Sequence, residues 1–220
     1  MAGGLKEVRE RITSVQNTMQ ITSAMKMVAA AKLRRAQDAI TRMRPYAEKL
    51  QGVLSNVSAS LDSSDGVYSQ QRDVKRVLIV AITSNRGLCG GFNNNIIKAA
   101  NVLMHDEGVE YHVLPIGKKA YEAFLKRSEL KAVGFDEDAW KIFDDLNFER
   151  AQKIGEDIMT QFVKGQYDDV KIIYNRFVNA AVQDITTENF LPLVASASED
   201  ESAMDTDYLF EPSQAEIVEQ

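Results

Sequence analysis

A single apolar stripe governs the first quarter of this chain. Stepping alternately by three and four from Leu5 reaches Val8, Ile12, Val15, Met19, Thr22, Lys26, Ala29, Leu33, Ala36, Ile40, Met43, Ala47, Leu50, Leu54, Val57 and Leu61. Only Thr22 and Lys26 are polar. Heptad spacing held for eight repeats is the pattern of a coiled-coil helix, which buries a seam against a partner helix. At about 1.5 Å per residue such a helix is roughly 85 Å long, well past an ordinary domain helix. The stripe therefore needs a partner. Ala, Lys, Arg, Glu, Gln and Met, all good helix formers, recur throughout. Pro45 is the exception. It removes a helix hydrogen bond and clashes with the preceding turn, so a kink or loosened turn is expected at Arg44–Pro45, with the helix resuming beyond it. Lys26 lies mid-stripe between Met25 and Met27. A charge on a packed seam is costly, so it either snorkels out or the seam is open there. Either case gives residues 22–29 a different partner from the rest.

Charge is unevenly placed. Residues 1–50 hold ten Lys/Arg against four Asp/Glu, a net of +6, while the whole chain is at -6, so the remainder carries -12. A basic rod beside an acidic body suits an acidic protein, nucleic acid or anionic lipid, and it equally suits a solvated helix face. No run approaches the roughly 18 apolar residues that span a bilayer, so no direct membrane insertion is expected. The N-terminus, with Gly3, Gly4 and charges, is no secretory signal. Cys89 is the one cysteine, which excludes an internal disulfide and points to a reducing compartment.

Beyond the stripe the pattern changes. Residues 62–75 read as a polar linker with turn chemistry at Asp62–Gly66. Arg76–Ser84 is a short β-branched run typical of a strand buried on both faces. Asn85–Asn95 is a glycine- and asparagine-rich loop, and Ile96–Glu107 reads as a helix closed by Gly108. Glu110–Ile116 reads as a strand, Lys118–Arg127 as a helix and Leu130–Phe135 as a short strand. Asn147–Lys164 reads as a helix with Phe148, Ala151, Ile154, Ile158 and Phe162 on one face. Asp169–Phe177 and Val182–Val194 complete the strands. Strands alternating with helices predict an α/β domain over 76–195 with a mostly parallel sheet. Ser196–Asp207 is an acidic loop, after which Ser213 and Glu216 form a capping box. The segment 196–220 therefore reads as an acidic loop and the start of a C-terminal helix cut short at Gln220.

Chemical motifs are sparse. Gly87, Gly90 and Gly91 follow a strand but lack the spacing of a dinucleotide loop, and no Lys-Ser/Thr pair makes a Walker loop. Cys89 has no neighbouring His or Asp in sequence to activate it, and His105 and His112 cannot build a usual zinc site with one cysteine. No catalytic, cofactor or metal site is expected.

Four stretches carry a resemblance: LKEVRERITSVQNTMQITSAMKMVAAAKLRRAQ, RPYAEKL, AITSNRGLCGGFNNN and DYLFEPS. Together they resemble, in order, the gamma subunit of F-type ATP synthases, and GLCGGFNNN is the bacterial form. The resemblance implies a long N-terminal coiled-coil helix over 1–61, one half of a rotor shaft, and a Rossmann-like α/β domain. It implies a central-stalk subunit without catalytic residues or cofactors. The shaft would turn inside a ring of alpha and beta subunits, with the epsilon subunit and the c-ring near the α/β domain. The protein would be peripheral on the cytoplasmic face of a bacterial plasma membrane. Carried over by position, Met25, Lys26 and Met27 match the stretch facing an acidic loop of beta, Arg34 and Arg35 continue the basic face, and Tyr208 matches the region near the c-ring. The family's long C-terminal helix is expected to be lacking here, and the exposed stripe is then expected to promote self-association. Two rival readings are a zipper-type nucleic-acid binder and a nucleotide-dependent α/β enzyme. The first is disfavoured because basic and apolar residues are interleaved over Lys6–Lys49. The second is disfavoured by the glycine spacing.

Overall fold

The computed structural model describes residues 2–60, 66–105 and 107–193. The chain divides into two compact units, Met1–Leu54 and Ser55–Gln220. The first is made by helix α1, which runs over Ala2–Ser60 and so reaches past the boundary at Leu54. It runs through Pro45 without interruption, so proline costs one hydrogen bond to Thr41 and not the helix. Leu5, Val8, Ile12, Val15 and Met19 are all more than half exposed. A straight helix drifts about 20° per heptad against a seven-residue repeat, so the stripe winds around α1, and a partner following it must supercoil. Thr22, the first polar break, donates its hydroxyl to Thr18 O at 2.7 Å. Its hydrogen-bonding need is met inside the helix, so it can sit on an apolar seam at small cost.

The second unit is built on a four-stranded sheet. Its strands are β1 (Arg76–Ile82), β2 (Glu110–Ile116), β3 (Asp169–Phe177) and β4 (Gln183–Leu191), in the order β2-β1-β3-β4. β1 pairs parallel with β2 and β3, and β4 pairs antiparallel with β3. The sheet is thus mixed and mostly parallel. β1 is continuously apolar because both its faces are covered. Leu78 and Val80 face one cluster with Ile158, Phe162 and Tyr167, while Val77, Ile79 and Ala81 face the other with Ile96, Ala100 and Phe124. Helices α2 (Phe92–Leu103) and α3 (Lys118–Phe124) serve the second face, and α4 (Phe148–Val163) the first. Asn147 caps α4 by accepting from Arg150 N at 2.9 Å. Residues 66–75 are stitched to this unit. Tyr68 packs on the core, and Arg72 donates to Phe162 O at 2.9 Å.

Several expected elements shift. The helix expected at Ile96 begins at Phe92, because Asn95 N reaches Gly91 O at 2.8 Å and Asn93 is buried beneath the loop. The strand expected at Leu130–Phe135 reduces to one bridge, Lys131 beside Val113, after a 3-10 helix at Ser128–Leu130. A second 3-10 helix, Ala139–Asp144, occupies a stretch to which the sequence pattern assigned no element. Phe148 is not on the buried face of α4: it is 75% exposed. The helix begins there, almost two turns before Ile154, the first of the expected face to reach the core.

The β3–β4 pair carries a titration signature. Tyr174 Oη donates to Glu188 at 2.7 Å. Burial, and then the Glu188 carboxylate, push the Tyr174 phenol up to about 12. The unfolded phenol ionises near 10. Between those values the folded chain holds a proton that the unfolded chain has lost, so stability falls as pH rises through that window. Urea titrations across the window are expected to show this decline in the parent and a shallower one in Tyr174→Phe. Equal slopes would remove Tyr174 from the explanation.

Candidate functional site

The proposed contact residues on α1 do not form one patch. Met25, Lys26 and Met27 are consecutive, and so point about 100° apart around the axis. Met25 and Met27 are 67% and 69% exposed, and Lys26, Arg34 and Arg35 are exposed too. Seven-residue spacing puts Arg34 on the face of Met27 and Arg35 on that of Val28. Sequence reasoning missed a second ridge: Ile21, Met25 and Val28, at i, i+4 and i+7, are all exposed beside the main stripe. The second period was readable but was masked by the longer first one. Residues 22–37 hold four cations, Lys26, Lys32, Arg34 and Arg35, and no anion. Lys26 and Lys32 have no acidic residue three or four positions away. The result is a collar, apolar on several sides and uniformly basic. Tyr208 lies outside the described residues.

The glycine loop after β1 is occupied by its own side chains. Ser84 N and Oγ donate to Asn93 Oδ1 at 2.9 and 3.1 Å, and Asn93 Nδ2 donates to Arg86 O at 3.0 Å. The first amides of α3 are also engaged. Lys118 N donates to Asn85 Oδ1 at 3.0 Å, Lys119 N to Ser84 O at 3.2 Å and Ala120 N to Thr83 Oγ1 at 2.8 Å. Donors that an α/β fold elsewhere aims at phosphate are here spent on the loop. Cys89 is exposed and accepts from Asn93 Nδ2 at 3.2 Å. His112 stands apart in another network, 3.2 Å from both Tyr167 Oη and Glu110 Oε1. The tyrosine hydroxyl also accepts from Val133 N at 3.0 Å. Among the described residues, no cluster of three His, Cys, Asp or Glu could hold a metal.

The geometry thus defines a long helix with an open apolar seam and a basic collar, continuous in sequence with an α/β domain in which the first amides of α3 are spent internally. The chain belongs to the ATP synthase family, whose family model matches residues 4–220. It is 53% identical to the ATP synthase gamma chain of Flavobacterium johnsoniae over 216 residues, covering 97% of this chain and 73% of that one. It is 48% identical to the gamma chain of Cytophaga hutchinsonii over 225 residues, covering 98% and 75%. Among solved structures it is similar to the central stalk and c-ring of the Tetrahymena thermophila mitochondrial ATP synthase, with a TM-score of 0.56 and 29% identity, covering 78% of this chain and 72% of that chain. The rotor of the Euglena gracilis mitochondrial enzyme shares the fold at a TM-score of 0.57 and 24% identity, covering 88% and 64%. The role is that of a central-stalk subunit within an ATP-synthesising complex, as the gamma-chain resemblance implies.

Proposed function

We propose that this chain is the rotating shaft that couples proton-driven turning of the c-ring to ATP synthesis at a ring of alternating alpha and beta subunits, without supplying a catalytic residue. The observation that carries this reading is the collar at residues 22–37. A helix apolar on several sides is suited to enclosure, and four cations without an anion are suited to acidic surroundings. Kinship with gamma chains supports it. In this reading residues 1–61 form one half of the shaft, 62–75 link it to the α/β domain at 76–195, and 196–220 continue the chain. Met25, Lys26 and Met27, with Arg34 and Arg35, meet the acidic loop of beta. Tyr208 lies towards the c-ring, and the epsilon subunit docks near the α/β domain. The complex sits peripherally on the cytoplasmic face of a bacterial plasma membrane. Among the described residues, no helix is long and apolar enough to cross a membrane. Outside the ring the open stripe promotes self-association.

The test is charge reversal. Combining Lys26→Glu, Arg34→Glu and Arg35→Glu is expected to weaken binding to an alpha–beta assembly at least about 100-fold, roughly 2.7 kcal/mol. Binding of the parent is expected to weaken as salt is raised, and the variant should lose that dependence. A reversed chain that assembles like its parent and alters ATP hydrolysis equally would refute the reading.

A further inference from the structure

A cavity of about 320 Å³ opens beside the edge strand β2, enclosed by α3, both 3-10 helices and the segment 131–137. We propose that it is a binding site for a neutral, flat aromatic molecule of about two rings. The walls argue for the aromatic part. Tyr121, Phe124, Phe135 and Trp140 line the cavity together with Leu114 and Leu130. Tyr121 and Trp140 are stacked, with centroids 4.7 Å apart and planes 15° apart. Trp140 is held in place through its carbonyl, which accepts from Gly117 N at 3.1 Å. The aromatic wall is therefore preformed; Tyr121 covers one face of the Trp140 indole and Lys141 Nζ lies over its ring 5.2 Å from the centroid, so Trp140 presents its edge to another ring.

The rim argues for neutrality, because Arg127 and Lys131 stand there with Asp136 and Glu137, two charges of each sign. Lys131 pairs with Glu137 at 3.0 Å, Arg127 donates to Asn101 Oδ1 at 2.8 Å, and Asp136 Oδ1 accepts from Asp138 N at 2.9 Å. A charged ligand would meet charges of both signs there and gain no net counter-charge. Volume argues for the size. An apolar cavity of about 150 Å³ takes up one benzene ring, so about twice that suits two fused rings. This site is independent of the shaft reading, since every wall residue belongs to the α/β unit.

The experiment uses the whole chain and its single tryptophan. Trp140 supplies one indole N–H cross-peak in a proton–nitrogen spectrum, which is followed during titration with 2-naphthol. A saturable shift is expected, with binding at least about tenfold weaker for decahydro-2-naphthol, which has lost the rings' π faces, and for naphthalene-2-sulfonate, which adds a charge. Ala132→Phe, which fills the cavity, should abolish the shift, while Leu88→Ser in the exposed glycine loop should leave it intact. Should Ala132→Phe fail to fold, intermolecular proton contacts from 2-naphthol to the methyl groups of Leu114, Leu130 and Ala132 in the parent decide the question. Absence of saturation, equal binding of the saturated analogue, tighter binding of the sulfonate, undiminished binding to a folded Ala132→Phe chain, or no contact to those methyls would each overturn the proposal.

Discussion

A Gly117→Ala chain is expected to lose the stability of its sheet domain. Gly117 closes β2 at φ +97° and ψ 148°, a positive-φ conformation essentially reserved for glycine, where a side chain alone costs about 1–3 kcal/mol. Space is the larger obstacle. A Cβ there would run into Thr83 O and stand 2.8 Å from Thr83 C, so the clash is with backbone and not with a side chain that could swing away. Thr83 cannot retreat cheaply. It is 2% exposed, its N–H donates to Ile116 O at 2.8 Å, and its Oγ1 accepts from Ala120 N at 2.8 Å. Relieving the clash means parting the ends of β1 and β2 from the start of α3. A loss of roughly 3–5 kcal/mol is expected, a large share of the 5–15 kcal/mol that holds a typical domain. Gly155→Ala is the control. It lies inside α4 with nothing within 4 Å of the added carbon, and is expected to gain up to about 1 kcal/mol. Chemical denaturation of the three chains measures both effects. If Gly117→Ala unfolds at the parent's midpoint, the junction is softer than its geometry implies.

Leu33→Asp is expected to do the opposite: little to the chain alone and much to assembly. Leu33 lies in the stripe and is 45% exposed, so in the free chain the substitution should change stability by less than about 0.5 kcal/mol. Once the seam is closed by a partner, the carboxylate loses its water in an apolar contact, which costs several kcal/mol. About 3 kcal/mol corresponds to a loss in affinity of more than 100-fold. Analytical ultracentrifugation of the isolated chain and co-purification with an alpha–beta assembly separate the two effects. The variant should also self-associate less than its parent. Unchanged assembly would mean that the stripe is not the packed seam.

Legibility differed sharply between elements. β1 was readable from Arg76–Ser84, because a strand buried on both faces needs an unbroken apolar run, whereas β3 (Asp169–Phe177) interrupts its apolar residues with Lys171, Asn175 and Arg176. The heptads of α1 were readable for a similar reason, since each step of three or four residues returns to one side of a helix. The collar was half readable. Met25 and Lys26 stood out in the sequence, whereas the ridge of Ile21 and Val28 emerged only when the faces of a continuous helix were laid side by side. Asn93 looked like one more loop asparagine. Its role as the clasp of the glycine loop depends on Ser84 and Arg86, which no spacing rule connects to it. Phe148 had the period of a buried residue and is exposed, because periodicity assigns a side of a helix and not the length over which that side meets a sheet.

Residue order alone thus set the long amphipathic helix, the α/β character of the remainder and the kinship with gamma chains, all of which rest on patterns among near neighbours. Folding in three dimensions set the rest. It placed Gly117 against Thr83, spent the first amides of α3 on Thr83, Ser84 and Asn85, and gathered Tyr121, Phe124, Phe135 and Trp140 around one cavity. Those features are meetings between residues far apart in the chain. Sequence periodicity carries no record of them, because it repeats every two or 3.6 residues and they are joined only where separate elements pack.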